Sequence, residues 1–194
     1  MDFLALTTRA HHATRTTITG IGADDWDRST PCAEWTVRDI VEHLIDNNER
    51  AAARAADRPR TTRSTTVDNL AAAYEESSAE FLAAFDDQAL KKTFDFGKFG
   101  PLPGKNVLAV LFADTLVHDW DLNTALGREH RWDDELATVA LGVASRFPDG
   151  TPVRGPGGAF DHAVEAPPGA GAGERLIALL GRSLPSTPSD KDIL

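Results

Sequence analysis

The stretch LFADTLVHDWDLNTALG, residues 111–127, puts an aspartate and a histidine where an otherwise greasy helix should carry hydrocarbon. Asp114 and His118 are spaced i, i+4. On a helix that leaves them about 40° apart around the axis and one turn along it, close enough to bind one ion. Val107, Leu111, Asp114, His118, Asp121 and Ala125 follow alternating steps of four and three, so they share a seam that starts apolar and turns polar midway. Helices of zinc proteases present paired metal ligands with this i, i+4 spacing. A tetrahedral ion needs at least one more protein ligand, and it must come from another helix. His43 is the candidate, because it sits beside Ile40 on the edge of the apolar stripe Val37, Ile40, Val41, Leu44 and Ile45. A His/His/carboxylate set leaves a position open to water or substrate, which is the catalytic pattern of zinc sites. Asp121 shares the seam and is expected to hydrogen-bond the second ring nitrogen of a ligating histidine, ahead of its neighbour Asp119. The plainer reading is that the histidine is merely hydrogen-bonded in a core and Asp114 is ion-paired or caps a neighbouring helix.

These residues need rods to carry them, and the chain supplies helical periodicity in several places. Phe3, Leu6, Ala10, Ala13 and Ile21 suit a first helix over about residues 2–21, which contains His11 and His12. Thr36 followed by Asp39 resembles a capping box and marks the start of a second helix, the one that carries His43. Val67, Leu70, Tyr74, Phe81 and Phe85 repeat in a third helix. The run FDFGKFGPLPGKN is too rich in Gly, Pro and Phe for a helix and predicts a loop or short hairpin. The fourth helix is expected from Pro103 to Leu126, ending at Gly127, and a fifth near Asp133 with Trp132, Leu136, Val139, Val143 and Phe147 on one side. The fold class that follows is all-α: a four-helix bundle with an additional helix over residues 1–147, and a short irregular Pro/Gly-rich arm over 148–194 that packs back on the bundle rather than forming its own domain. Within the arm, a strand near Phe160–Val164, a short helix over Glu174–Leu180 and a frayed end after Pro185 are expected.

Composition bounds the partners. The chain has 194 residues, 41% of them hydrophobic and 26% charged, as suits one folded domain. Lys and Arg total 20 against 30 Asp and Glu, a formal charge of −10, so the mean field repels phosphate backbones and anionic lipid heads. Neither nucleic acid nor membrane is expected as a partner. A small molecule suits the open metal position better, and a bundle of this size is compatible with a homodimer. The single cysteine, Cys32, cannot form an internal disulfide and is expected to be a packed structural thiol. With no leader-like start and no apolar run of membrane-spanning length, the expected compartment is the cytoplasm. Trp35, Trp120 and Trp132 read as core or rim aromatics, and His130 and His162 as loop residues.

TPCAEWTVRDIVEHL, leading to His43, and DTLVHDWDLNTALG, carrying Asp114, His118, Trp120 and Asp121, together resemble the actinobacterial DinB-like family that includes mycothiol-dependent maleylpyruvate isomerase. FGPLPG at residues 99–104 adds to the likeness, which covers about residues 1–147. The resemblance implies a four-helix bundle holding a divalent ion, zinc or alternatively nickel, on His43, Asp114 and His118, with mycothiol as a co-substrate. Asp114 stands where the isomerase pattern has Glu, one methylene longer. The expected function is then a metal-dependent thiol transferase or isomerase, in which the ion activates a thiol or water and the partner is a small-molecule electrophile or thiol. The alternatives are an HD-type phosphohydrolase using His118 and Asp119, and a non-catalytic small-molecule-binding or stress-response bundle with a structural or vestigial ion.

Overall fold

The structure is a computed structural model that describes residues 1–147, 149–150, 153–155 and 158–184. Among these residues there are six α-helices: α1 (Phe3–Thr19), α2 (Val37–Ala55), α3 (Leu70–Ala84), α4 (Gly104–Ala125), α5 (Asp134–Ala144) and α6 (Ala172–Leu179). Strands β1 (Thr93–Asp95) and β2 (Pro101–Pro103) form an antiparallel hairpin in which Phe94 pairs with Leu102. The all-α bundle and the hairpin thus form as expected.

Every residue of α4 from Val107 to Leu122 is buried. That answers why this helix carries no clean apolar stripe: it has no solvent face in its middle, so the polar side chains there must find partners inside the protein. Around it, Leu6, Phe112, Val117, Leu136 and Leu176 make one core cluster, Ile18, Val41, Leu44, Tyr74 and Leu122 a second, and Phe81, Phe85, Phe94 and Leu108 a third. Sheathing α4 with three apolar clusters holds its polar seam rigidly.

Local signals set the element ends. The Thr36 hydroxyl accepts from the Asp39 N–H at 3.2 Å while the Asp39 carboxylate accepts from the Thr36 N–H at 2.8 Å, closing the expected capping box of α2. Asp133 caps α5, and Arg9 of α1 pairs with both Asp133 and Glu135, tying the two helices together. Gly104 opens α4 because a Cβ there would lie 2.0 Å from the Ala89 carbonyl oxygen, so only glycine lets the hairpin close onto the helix.

Several expectations need correction. The third helix begins as a 3₁₀ turn over Val67–Asn69 before α3 proper, and α5 stops at Ala144, short of Phe147. The strand expected over Phe160–Val164 is absent among the described residues; a single bridge joins Phe160 to Arg154, and the Val164 N–H donates to the Ala178 carbonyl instead. This segment lies along α6 and has no open sheet edge to join. The described part of the region after Phe147 contributes Val153, Phe160, Leu176 and Leu180 to the cluster shared with α1, α4 and α5. The expected fraying after Pro185 falls outside the described residues.

Candidate metal centre

Four pieces of chain converge on one point. The loop before α2 doubles back through a bridge between Ser29 and Thr36, with Glu34 at a φ of 67°, and so delivers Cys32 and Trp35 to the bundle surface. Helix α2 brings His43 and Asn47, α4 brings Asp114, His118 and Asp121, and the segment after α6 brings Arg182.

His43 Nε2 lies 3.3 Å from Asp114 Oδ2, and His118 Nε2 lies 3.5 Å from Asp114 Oδ1. The two imidazoles are 5.0 Å apart between centroids and cross at 73°. Both separations exceed the ~2.7–2.9 Å of a short charge-assisted hydrogen bond. Each ring nitrogen faces a different oxygen of the carboxylate, at a distance close to the ~3.3–3.5 Å between neighbouring ligands of a tetrahedral ion. One ligand atom from each of the three residues falls within 4.8 Å of the others. The donor set and its spacing therefore fit a divalent ion. Burial alone would raise the Asp114 carboxyl, but His118 and His43 outweigh it and hold it down to about 2, so this group is a carboxylate at neutral pH.

The surroundings orient the three. His118 Nδ1 lies 3.0 Å from Asp121 Oδ2; since a carboxylate only accepts, Nδ1 carries the proton and Nε2 presents its lone pair. Asp121 is fully buried and also accepts from Arg182 Nη2 at 2.8 Å and Nε at 3.3 Å. The Asp121 carboxyl lies below its usual value because its bonds to His118 and the Arg182 charge overcome burial. Trp35 stacks on His118 at 5.7 Å and 12° and meets His43 edge-on at 4.7 Å, roofing both rings. The Asn47 amide nitrogen is 2.9 Å from His43 Nε2 and donates to Asp114 Oδ2 at 3.0 Å. Arg50 Nη2 donates to the Asn47 oxygen at 3.1 Å, which fixes the amide with its NH₂ toward the cluster.

A second trio, Cys32, His118 and Asp121, also has ligand atoms within 4.8 Å. It is the weaker ion site. Both Asp121 oxygens are already engaged by Arg182, and burial pushes the Cys32 thiol up to about 11 despite the nearby Arg182 charge. Cys32 packs against the cluster of Ile18, Val41 and Leu44 and also borders the polar centre.

Of the residues singled out by sequence, His43, Asp114, His118 and Asp121 come together. Asp119 points elsewhere: its Oδ2 lies 3.6 Å from His130 Nδ1, and burial raises its carboxyl to about 6 against the pull of the Thr17 and Thr14 hydroxyls. That orientation removes the His118–Asp119 pair an HD-type phosphohydrolase would need. His11 is buried against Tyr74 and Ser78, His12 is exposed, and His162 pairs with Asp149 on the surface. Sequence reasoning missed Asn47 and Arg182. Asn47 lies one turn beyond His43 on α2, and that i, i+4 spacing was a usable signal. Arg182 carried none, because its partner lies 61 residues away.

Two grooves meet at Trp35 and His43. One, of about 550 Å³, is bordered by Asp39, Glu42, Asp46 and Arg63. The other, of about 400 Å³, runs from Asn47 and Asp114 toward Phe96, Phe99 and Phe160.

Fold and site together define a DinB-like helical bundle with an inward-facing His/His/carboxylate trio. Residues 7–123 match the mycothiol maleylpyruvate isomerase N-terminal domain, and the chain belongs to that family. Two strain versions of a Mycobacterium tuberculosis protein, described as uncharacterized, are each 33% identical to it over 187 residues, spanning 95% of this chain and 100% of their own. Among solved structures, a histidine-to-alanine mutant of the mycothiol-dependent maleylpyruvate isomerase superposes with a TM-score of 0.60 at 14% identity, covering 74% of this chain and 67% of that one. At that identity the likeness is one of fold. No helix among the described residues is long and apolar enough to cross a membrane.

Proposed function

We propose that this protein is a divalent-metal-dependent thiol transferase or isomerase, with zinc or alternatively nickel held by His43, Asp114 and His118, and mycothiol or a similar low-molecular-weight thiol as co-substrate. The observation that carries the reading is that one ligand atom from each of His43, Asp114 and His118 lies within 4.8 Å of the other two, a spacing open to ligands of one ion. Family membership supports the thiol, since the matched domain is that of a mycothiol-dependent isomerase.

A divalent ion at this point supplies positive charge that favours the deprotonated form of a thiol or water beside it. The chain's own residues do the rest. Asp121 holds the His118 ring in the tautomer that offers Nε2, and Arg182 keeps Asp121 ionised. Trp35 covers both imidazoles and keeps bulk water off that side. The Asn47 NH₂, locked by Arg50, donates a hydrogen bond to Asp114 Oδ2 and thereby fixes the free rotation of that carboxylate. The groove mouths leave a substrate two ways to the trio. We place the protein in the cytoplasm, where a low-molecular-weight thiol stays reduced.

Elemental analysis of the purified protein beside His118→Ala is the direct test. The expected result is about one equivalent of zinc or nickel in the parent and loss of it in the variant. Stoichiometric ion in both would overturn the ligand assignment. Thiol-dependent consumption of a generic electrophile by the loaded parent, absent in His118→Ala, then separates an enzyme from a binder that merely holds an ion.

A further inference from the structure

The segment 58–66, between α2 and α3, is held in an unusual way. None of residues 56–66 is buried, and residues 59–65 make no backbone-to-backbone hydrogen bond among the described residues. Its ends are fixed. The Arg58 N–H donates to the Ala53 carbonyl at 2.9 Å, just past Asp57, whose φ of 50° turns the chain off α2. At the other end the Thr66 N–H donates to Asn69 Oδ1 at 2.7 Å, and Asn69 Nδ2 donates back to the Ser64 carbonyl at 3.0 Å. Between those ends side chains do the holding, and one acceptor dominates. Glu49 of α2 has a side chain only 2% exposed. Its Oε1 accepts from the Arg63 N–H at 3.0 Å and Arg63 Nη1 at 3.1 Å, and its Oε2 from Arg60 Nη2 at 3.0 Å and Nε at 3.4 Å. The other pairs, Arg60 with Asp46, Arg58 and Arg63 with Glu80, and Arg63 with Glu76, fall on acids that are 36%, 40% and 68% exposed, where water screens them.

The same segment is a wall. Arg60, Thr62, Arg63 and Thr65 border the groove of about 550 Å³ together with Glu42 and Asp46 of α2, and that groove leads to Trp35 and His43. We propose that residues 58–66 form a strap that swings away from α2 as a unit, with Glu49 as its latch, and so sets the width of this entrance to the trio. A segment with fixed ends, no buried side chain and few backbone bonds opens far more readily than the helices it joins. The closed position is favoured because only there does the Glu49 carboxylate find its four donors. Glu49 borders the groove, so lifting the strap returns the carboxylate to water instead of stranding a buried charge, and the latch is reversible. What enters by this route rests on the metal and thiol reading; the swing itself needs neither.

The test is trypsin digestion of the full chain in urea concentrations below the unfolding transition, with the cuts mapped by mass spectrometry. The strap offers the bonds Arg60–Thr61 and Arg63–Ser64. In the parent both are expected to be cut at a rate almost independent of urea, because a local swing exposes little surface. Glu49→Gln keeps the shape of the latch and removes its charge, and is expected to speed both cuts by about tenfold. Arg60→Lys keeps the charge and loses the fork that grips Glu49; it should speed the cut at the unchanged Arg63–Ser64 bond by about threefold, which tests the latch even where Glu49→Gln does not fold. Carbodiimide-driven labelling of Glu42 with glycine ethyl ester should rise in step, since Glu42 accepts from Thr65 Oγ1 at 3.3 Å while the strap is closed. Cuts that accelerate with urea as global unfolding does, folded variants cut at the parent's rate, or faster cutting with Glu42 labelled no faster would each overturn the strap. Digestion and labelling need neither turnover nor an ion, so their failure beside stoichiometric metal in the elemental analysis sinks the strap alone. A confirmed strap beside His118-independent metal sinks the metal reading alone.

Discussion

At the residue scale the site is a matter of orientation. His118 can offer Nε2 only while Nδ1 carries its proton, and the fully buried Asp121 is what keeps the proton there. Asp121→Asn preserves shape and removes the charge, so it should weaken metal binding by about 10–100-fold, read by competition with a chromophoric chelator. An unchanged affinity would mean that the ring is fixed by Trp35 stacking alone. Arg182→Gln should act in the same direction and also destabilise the fold by about 3 kcal/mol, because it strands a buried carboxylate. Cys32 makes the opposite kind of case. With its thiol pushed up to about 11 by burial, it should react with iodoacetamide at pH 8 about a hundredfold or more slowly than a free cysteine, followed by mass spectrometry. Rapid alkylation would show a thiolate that the surroundings do not support. The spacing of Asp114, His118 and Asp121 was readable in the sequence because it lives on one helix. The Arg182 contact was not, since nothing local foretells which buried acid a distant arginine will reach.

At the element scale α2 and α4 are the two arms of a clamp, and each is anchored differently. Helix α4 is held by burial on every side, whereas α2 is half exposed and depends on its capping box. Thr36→Ala removes the hydroxyl that accepts from Asp39, and should cost about 1 kcal/mol and lower Tm by about 2–4 °C. His43 lies almost two turns inside the helix, so metal affinity should be nearly unchanged; a large loss would show that the loop holding Trp35 governs the site. The capping box, the helix periodicities and the hairpin were all legible, because each is a short-range pattern. The missing strand near Phe160 was not: a short run containing Phe and Val reads as strand, but pairing needs a neighbour, and the neighbour proved to be α6. Gly181, just past α6, shows how close that packing is, since a Cβ there would lie 2.6 Å from Asp161 Cβ.

At the scale of the whole molecule, the polar groups on the far side of α4 govern how stability responds to pH. His11 is 3% exposed, contacts Tyr74 and Ser78, and has a buried Nε2 without a hydrogen-bond partner among the described residues. Burial lowers it to about 4, and burial lowers His130 to about 4 as well. For each, the unfolded chain binds the proton first, so the stability they contribute is complete above about pH 6.5 and is lost as pH falls toward 4. Asp119 has the opposite sign. Burial raises it to about 6, so its contribution is present below about pH 4 and is lost as pH rises through 6. Between pH 4 and 6 two histidines therefore oppose one carboxyl, and unfolding takes up about one net proton: stability should rise by about 1 kcal/mol per pH unit. Urea midpoints measured with EDTA present, to keep ion binding out of the comparison, should climb steadily over that window. In His11→Gln, which keeps a hydrogen-bonding side chain against Tyr74 but cannot titrate, the remaining histidine and Asp119 cancel and the climb should flatten. A parent curve already flat, or a variant as steep as the parent, would show that His11 exchanges protons as freely in the fold as outside it.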